Sequence, residues 1–144
     1  SADLPPMRME IREWNGVTIV LDNYNASPDS GVAALRTLCE IPTAGRKLAV
    51  LGEMKELGSA SESGHRLLGR SLMQSEPDEV LLYGGETEFI RDEALQLGFP
   101  EDRIRTVVDL KQITRAVQAL QPGDTVLVKG SRALNLENAI EALP

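Results

Sequence analysis

The sequence predicts an open α/β domain: a mostly parallel sheet of about six strands, covered by helices on both faces and opening with an antiparallel hairpin. Three observations predict it. Four apolar runs, at 47–52, 79–84, 104–108 and 124–130, are too short for helices and read as strands buried on both faces. Amphipathic stretches with helical spacing lie between them, which gives the strand–helix alternation of crossover connections. Ahead of these, Asn15-Gly16 separates two β-like runs, a strong type I′ hairpin signal because both turn residues need positive φ.

Taken in order, the hairpin runs from Arg8 to Trp14 and from Val17 to Leu21. The stretch LDNYNASPDS, residues 21–30, then leads into a helix. Ser27 is a good N-cap, Pro28 suits the first helical position, and Asp29 complements the positive end of the helix dipole. Cys39 falls in the apolar pattern of that helix and reads as a buried small hydrophobe. After KLAVLG comes a loop closed by Gly52 and Gly58, then a helix that Ser59 or Ser61 can cap. His65 shares a face of that helix with Leu68 and Leu72, the pattern of a packed or hydrogen-bonded histidine. Ile90, Ala94 and Leu97 make a shorter stripe, stopped by Gly98. Leu110, Ile113, Val117 and Leu120 make another, and Ala133, Leu136, Ile140 and Leu143 the last. A sheet wound in this way is Rossmann-like.

A chain of 144 residues suits one domain with a single core. The net charge of −7, with Lys and Arg scattered rather than striped, argues against a nucleic-acid partner, and the 3% aromatic content leaves little for base stacking. One cysteine rules out an intrachain disulfide and a multi-cysteine zinc site. With no signal-peptide pattern and no apolar run near membrane-spanning length, the chain is expected to be cytosolic with no membrane partner. Residues 1–6, including Pro5-Pro6, read as a tag remnant or interdomain linker, and residues 7–144 as the domain.

Three stretches could carry chemistry, each directly after a strand, where open α/β sheets bind ligands. In the first, the cap explains residues 27–29 but not Asp22, Asn23, Tyr24 and Asn25, whose carboxylate, amides and ring suit a ribose, a sugar hydroxyl or a metal-bound water. An Asx-rich turn is the simpler alternative. In the second, LGEMKELGSASESGH (51–65), Glu53, Lys55 and Glu56 are either a solvated loop or part of a site. In the third, LVKGSR (127–132), Lys129, Ser131 and Arg132 around Gly130 suggest an anion site at a helix start. The chain carries neither GxxxxGK[ST] nor GxGxxG, nor HExxH or GxSxG, so a self-contained NTPase or hydrolase of the usual kinds is not indicated.

Together, LDNYNASPDS, LAVLGEMKELG with His65 following, and GDTVLVKGSRALNLE resemble the C-terminal domain of the Mur ligases over nearly the whole chain from Met7. The family's first motif is D-D-x-Y-N-A-N-P. Asp22, Tyr24, Asn25, Ala26 and Pro28 match it, while Leu21 and Ser27 depart. Its second is G-D-M-x-E-L-G, with Glu53 here in place of the Asp.

The resemblance implies an ATP- and Mg2+-dependent amide ligase of peptidoglycan synthesis, of the kind that joins D-alanyl-D-alanine to UDP-N-acetylmuramoyl-tripeptide through an acyl phosphate. Its N-terminal and central ATPase domains would lie outside these residues and be the partners of this one. It also implies that Asp22, Tyr24 and Asn25 face the nucleotide. Lys129, Ser131 and Arg132 would lie near the dipeptide or the phosphates, with Glu53 and His65 on the substrate side. It implies no catalytic residue and no metal ligand within this domain. The alternatives are another amide ligase of the superfamily, such as a folylpolyglutamate synthase, and a stand-alone nucleotide-binding module. Tyr24-Asn25-Ala26 does not match the D-G-A-H-N-P-like motif of the former.

Overall fold

The computed structural model describes residues 9–23 and 26–144. Arg8, Tyr24, Asn25 and the segment 1–6 lie outside the described residues.

Strands β1 (Glu10–Trp14) and β2 (Val17–Asp22) form the hairpin, and Asn15 and Gly16 both take positive φ, 49° and 79°. The remaining strands are β3 (Lys47–Gly52), β4 (Glu79–Tyr83), β5 (Ile104–Val107) and β6 (Thr125–Lys129). The helices are α1 (Pro28–Glu40), α2 (Ser61–Ser75), α3 (Glu88–Gln96), α4 (Leu110–Gln118) and α5 (Glu137–Glu141). The sheet order is β1-β2-β6-β3-β4-β5, parallel throughout except for β1.

That order assigns each helix to a face. From β2 to β3, β4 and β5 the chain steps in one direction, and α1, α2 and α3 pack on one side through Leu35, Leu38, Leu68, Leu72 and Ile90. From β5 it returns to β6, and right-handed crossover then puts α4 on the opposite side with α5, through Ile113, Val117, Leu136 and Ile140. Alternate residues of each central strand serve the two cores: Ala49 and Leu51 face one, Leu48 and Val50 the other. This is why the central strands read as continuous apolar runs.

Helix α1 starts as the sequence requires. Ser30 N–H donates to Ser27 Oγ at 3.1 Å and Ser27 N–H to Ser30 Oγ at 2.9 Å, a reciprocal cap with Pro28 behind it. Ser27→Ala is expected to lower stability by about 1 kcal/mol, read as a lower urea midpoint at unchanged slope. An unchanged midpoint would mean that packing alone fixes this helix start.

Four local expectations are corrected. Cys39 is exposed, because it lies one residue past Leu38 and so about 100° around α1 from the buried stripe. Helix α2 is capped by neither Ser59 nor Ser61; the chain enters it through a 3₁₀ turn at Gly58–Ala60, and the Ser61 hydroxyl donates to Glu86 instead. Leu97 lies past the end of α3 and is 47% exposed, the stop at Gly98 holding with φ 101°. The stripe from Ala133 to Leu143 is not one helix, since Asn135 takes a left-handed φ of 54° between a 3₁₀ turn, Arg132–Leu134, and α5.

Candidate ligand site at the carboxyl edge of the sheet

Strands β2, β3 and β4 feed helices on one face, and β5 and β6 feed helices on the other. Wherever neighbouring strands send their helices apart, the loops above them separate and leave a crevice. The order β2-β6-β3-β4-β5 makes this happen around β6 and again between β4 and β5. A cleft sits at each place. One, about 540 Å³, is lined by Ala26, Lys55, Glu56, Ser131, Arg132 and Asn135. The other, about 430 Å³, is lined by Glu53, Tyr83, Gly84, Glu88, Thr106 and Val108, among others. Between them the backbones of β3 and β6 close up: a Cβ on Gly130 would lie 3.1 Å from Gly52 Cα and 2.6 Å from Leu136 Cδ1.

Register places Asp22 opposite Lys129, on the last rung of β2 and β6. The Lys129 ammonium lies 3.2 Å from Asp22 Oδ1, and both residues are buried, Lys129 at 3% exposure. Burial holds Lys129 below its ordinary value, and the Asp22 carboxylate opposes that shift. The anion-site expectation at Lys129 thus meets an ammonium that is buried and paired with Asp22 at the end of the sheet. The helical turn after Gly130 is also a three-residue 3₁₀ turn rather than an α-helix start. Asn23 donates to Glu137 Oε1 at 2.5 Å, tying the loop after β2 to α5.

The second stretch forms the wall between the clefts. Glu53 N–H donates to Tyr83 O at 2.9 Å, Met54 N–H to His65 Nε2 at 3.0 Å, and Lys55 N–H to Ser131 Oγ at 2.7 Å. Three successive amides thus anchor in β4, in α2 and in the loop after β6. The Glu53 carboxylate pairs with Lys55 Nζ at 3.1 Å and accepts Glu86 N–H at 3.2 Å. It crosses Gly84, whose φ of 110° and missing side chain leave it room. His65 is fully buried and makes both its ring contacts within the chain, so it lies behind this wall rather than in either cleft.

The structure therefore gathers Asp22, Glu53, Lys129, Ser131 and Arg132 along one edge and sets His65 beneath it. Of the second stretch's charges, Lys55 and Glu56 line the first cleft; sequence reasoning left out the second cleft's Tyr83, Gly84, Thr106 and Val108. The signal was available: Gly84-Gly85 and Val108 follow directly on the runs EVLLY and IRTV. Among the described residues no group of three His, Cys, Asp or Glu side chains could hold a metal ion, and no helix is long and apolar enough to cross a membrane.

An open parallel sheet with clefts at both of its switch points defines an α/β ligand-binding domain of the Rossmann-like kind. Residues 7–132 match the family model described as Mur ligase, glutamate ligase domain, and the chain belongs to that family. It is 36% identical over 139 residues to the UDP-N-acetylmuramoyl-tripeptide--D-alanyl-D-alanine ligase of Bacillus subtilis, covering 95% of this chain and 30% of that protein. The enzyme of the same name from Escherichia coli is 33% identical over 122 residues, covering 85% and 26%. The MurF ligase of Thermotoga maritima, solved in complex with ADP, superimposes with a TM-score of 0.75 at 34% identity, covering 96% of this chain and 30% of that one. The chain thus spans about a third or less of the length of these relatives.

Proposed function

We propose that these residues are the C-terminal domain of an ATP-dependent ligase of the bacterial cytoplasm that joins D-alanyl-D-alanine to UDP-N-acetylmuramoyl-tripeptide in peptidoglycan precursor synthesis. The observation that carries the reading is the convergence of three motif stretches, distant in sequence, on one carboxyl edge flanked by two clefts. Relatives of that name share this chain over most of its length. In this reading the N-terminal and central domains supply the phosphate loop, the Mg2+ site and the tripeptide site.

The residues present fit one side of a nucleotide site. Lys55 and Arg132 bring cationic side chains to the first cleft, where phosphate oxygens are suited, and Ser131 braces the loop that carries Lys55. Asp22 helps by holding Lys129 and fixing the loop after β2; Tyr24 and Asn25 remain its proposed nucleotide-facing members. ATP supplies the phosphoryl group that activates the tripeptide carboxylate for attack by the dipeptide amine. The edge loops would close over that reaction and keep water out while the activated carboxyl waits.

The test is a titration of the ¹⁵N-labelled 144-residue chain with Mg-ATP and, separately, with D-alanyl-D-alanine, alongside a ligase assay of the chain alone. We expect shifts confined to residues 22–23, 53–55 and 129–132 at millimolar ligand, and no amide product. Saturable micromolar ATP binding would replace the reading with a stand-alone nucleotide-binding module. Product formed by the chain alone, or shifts away from this edge, would overturn the half-site.

A further inference from the structure

We propose that His65 is a positioning residue: it latches the wall between the two clefts from behind, through an unprotonated Nε2 that accepts the Met54 amide. The proposal uses the ligase reading only for what the wall serves. The latch itself stands on hydrogen bonds.

The loop after β3 turns away from the sheet at Glu53, so its amides lose their strand partners and need others. Glu53 N–H finds Tyr83 O, the last carbonyl of β4, and Lys55 N–H finds a hydroxyl. Met54 lies between them with its side chain buried, 3% exposed, and its amide has the imidazole as acceptor. An imidazole nitrogen accepts only when it carries no proton. The other nitrogen, Nδ1, then carries one and donates it to Ser61 O at 2.7 Å, with Ser61 Oγ at 3.2 Å.

Ser61 connects the latch onward. Its hydroxyl donates to Glu86 Oε1 at 2.6 Å, while the Glu86 amide is held by the Glu53 carboxylate. The circuit Met54, His65, Ser61, Glu86, Glu53 closes on itself and joins the loop after β3, the start of α2 and the turn after β4. Breaking it at the imidazole frees the one anchor of residues 53–55 that comes from a helix, and Lys55 is the next residue along. The helical face shared with Leu68 and Leu72 explains why His65 is buried; the circuit explains why the residue there is a histidine rather than a leucine.

Three measurements on the 144-residue chain decide it. In the wild type, long-range ¹H–¹⁵N correlation should give the Nδ1–H tautomer, with Nε2 unprotonated. His65→Gln places an amide oxygen near the position of Nε2 and should keep the Met54 amide protected, whereas His65→Leu should speed its exchange by about tenfold or more without changing Leu81 in β4. In the titration with Mg-ATP, the shifts at Lys55 and Ser131 should persist in His65→Gln and fall in His65→Leu. An Nε2–H tautomer, or equal Met54 exchange in all three proteins, overturns the latch. If His65→Leu does not fold, the tautomer and His65→Gln decide. If the wild type shows no Mg-ATP shifts, the ligase reading fails while the tautomer and the exchange rates still test the latch.

Discussion

Asp22→Ala or Lys129→Met alone is expected to cost about 3–5 kcal/mol of folding stability, and the double variant to recover most of that loss. The reason is the asymmetry of buried ion pairs. Asp22 and Lys129 face each other at 3.2 Å on the last rung of two parallel strands. Taking both from water costs several kcal/mol per ion, which their attraction does little more than offset. Removing one partner keeps the burial cost of the other and loses the attraction. Removing both loses both. Urea unfolding followed by circular dichroism gives the four stabilities of the cycle. Single losses under about 1 kcal/mol would place the pair with exposed salt bridges and sink the argument.

Burial also fixes the sign of a pH effect. Lys129 is held below its ordinary value of 10.5 by desolvation, against the pull of Asp22. The unfolded chain therefore keeps this proton to a higher pH than the folded protein does. Between the lowered folded value and 10.5 the unfolded state binds more protons, so this group's contribution to stability rises with pH across that window. Relative to Lys129→Met, the wild type should gain stability there.

Gly84→Ala is expected to destabilise by about 1–3 kcal/mol, through a strained backbone and a collision together. Its φ of 110° disfavours any side chain, and a Cβ would stand 2.6 Å from Glu53 Cγ and Cδ. Shortening Glu53 to Ala removes the collision but not the strain, so Gly84→Ala should cost less in that background. The difference is a coupling energy of about 1 kcal/mol. Additive losses would show that the Glu53 side chain swings aside freely, and would detach the two positions.

The strands and the hairpin were legible because each rests on local chemistry: Asn-Gly permits two positive φ values, and strands buried on both faces are predominantly apolar. The order of the strands was not, because nothing local places β6 between β2 and β3. The pairing of Lys129 was hidden for the same reason. Asp22 and Lys129 are both candidate site residues, and only the β2–β6 register reveals that they form an ion pair. The break at Asn135 was hidden because the apolar stripe continues across it. Cys39 was misplaced because its neighbour Leu38 supplies the apolar position that the core actually uses. The burial of His65 was legible in helical spacing, but its partner Met54 lies in a loop whose path spacing does not give.

The placement of β6 also constrains how the domain can assemble. The last strand in sequence is the third in the sheet, and it alone joins β2 to β3. Until residues 125–129 leave the ribosome, the hairpin and the β3–β5 layer have no common hydrogen-bonded partner. Each presents an unpaired, apolar margin of the kind that invites mispairing between nascent chains. Closure of the sheet is thus a late event in synthesis, requiring contacts between residues as far apart as Thr18 and Thr125. It points to slow folding for a domain of this size and a dependence on protection while the central gap stays open.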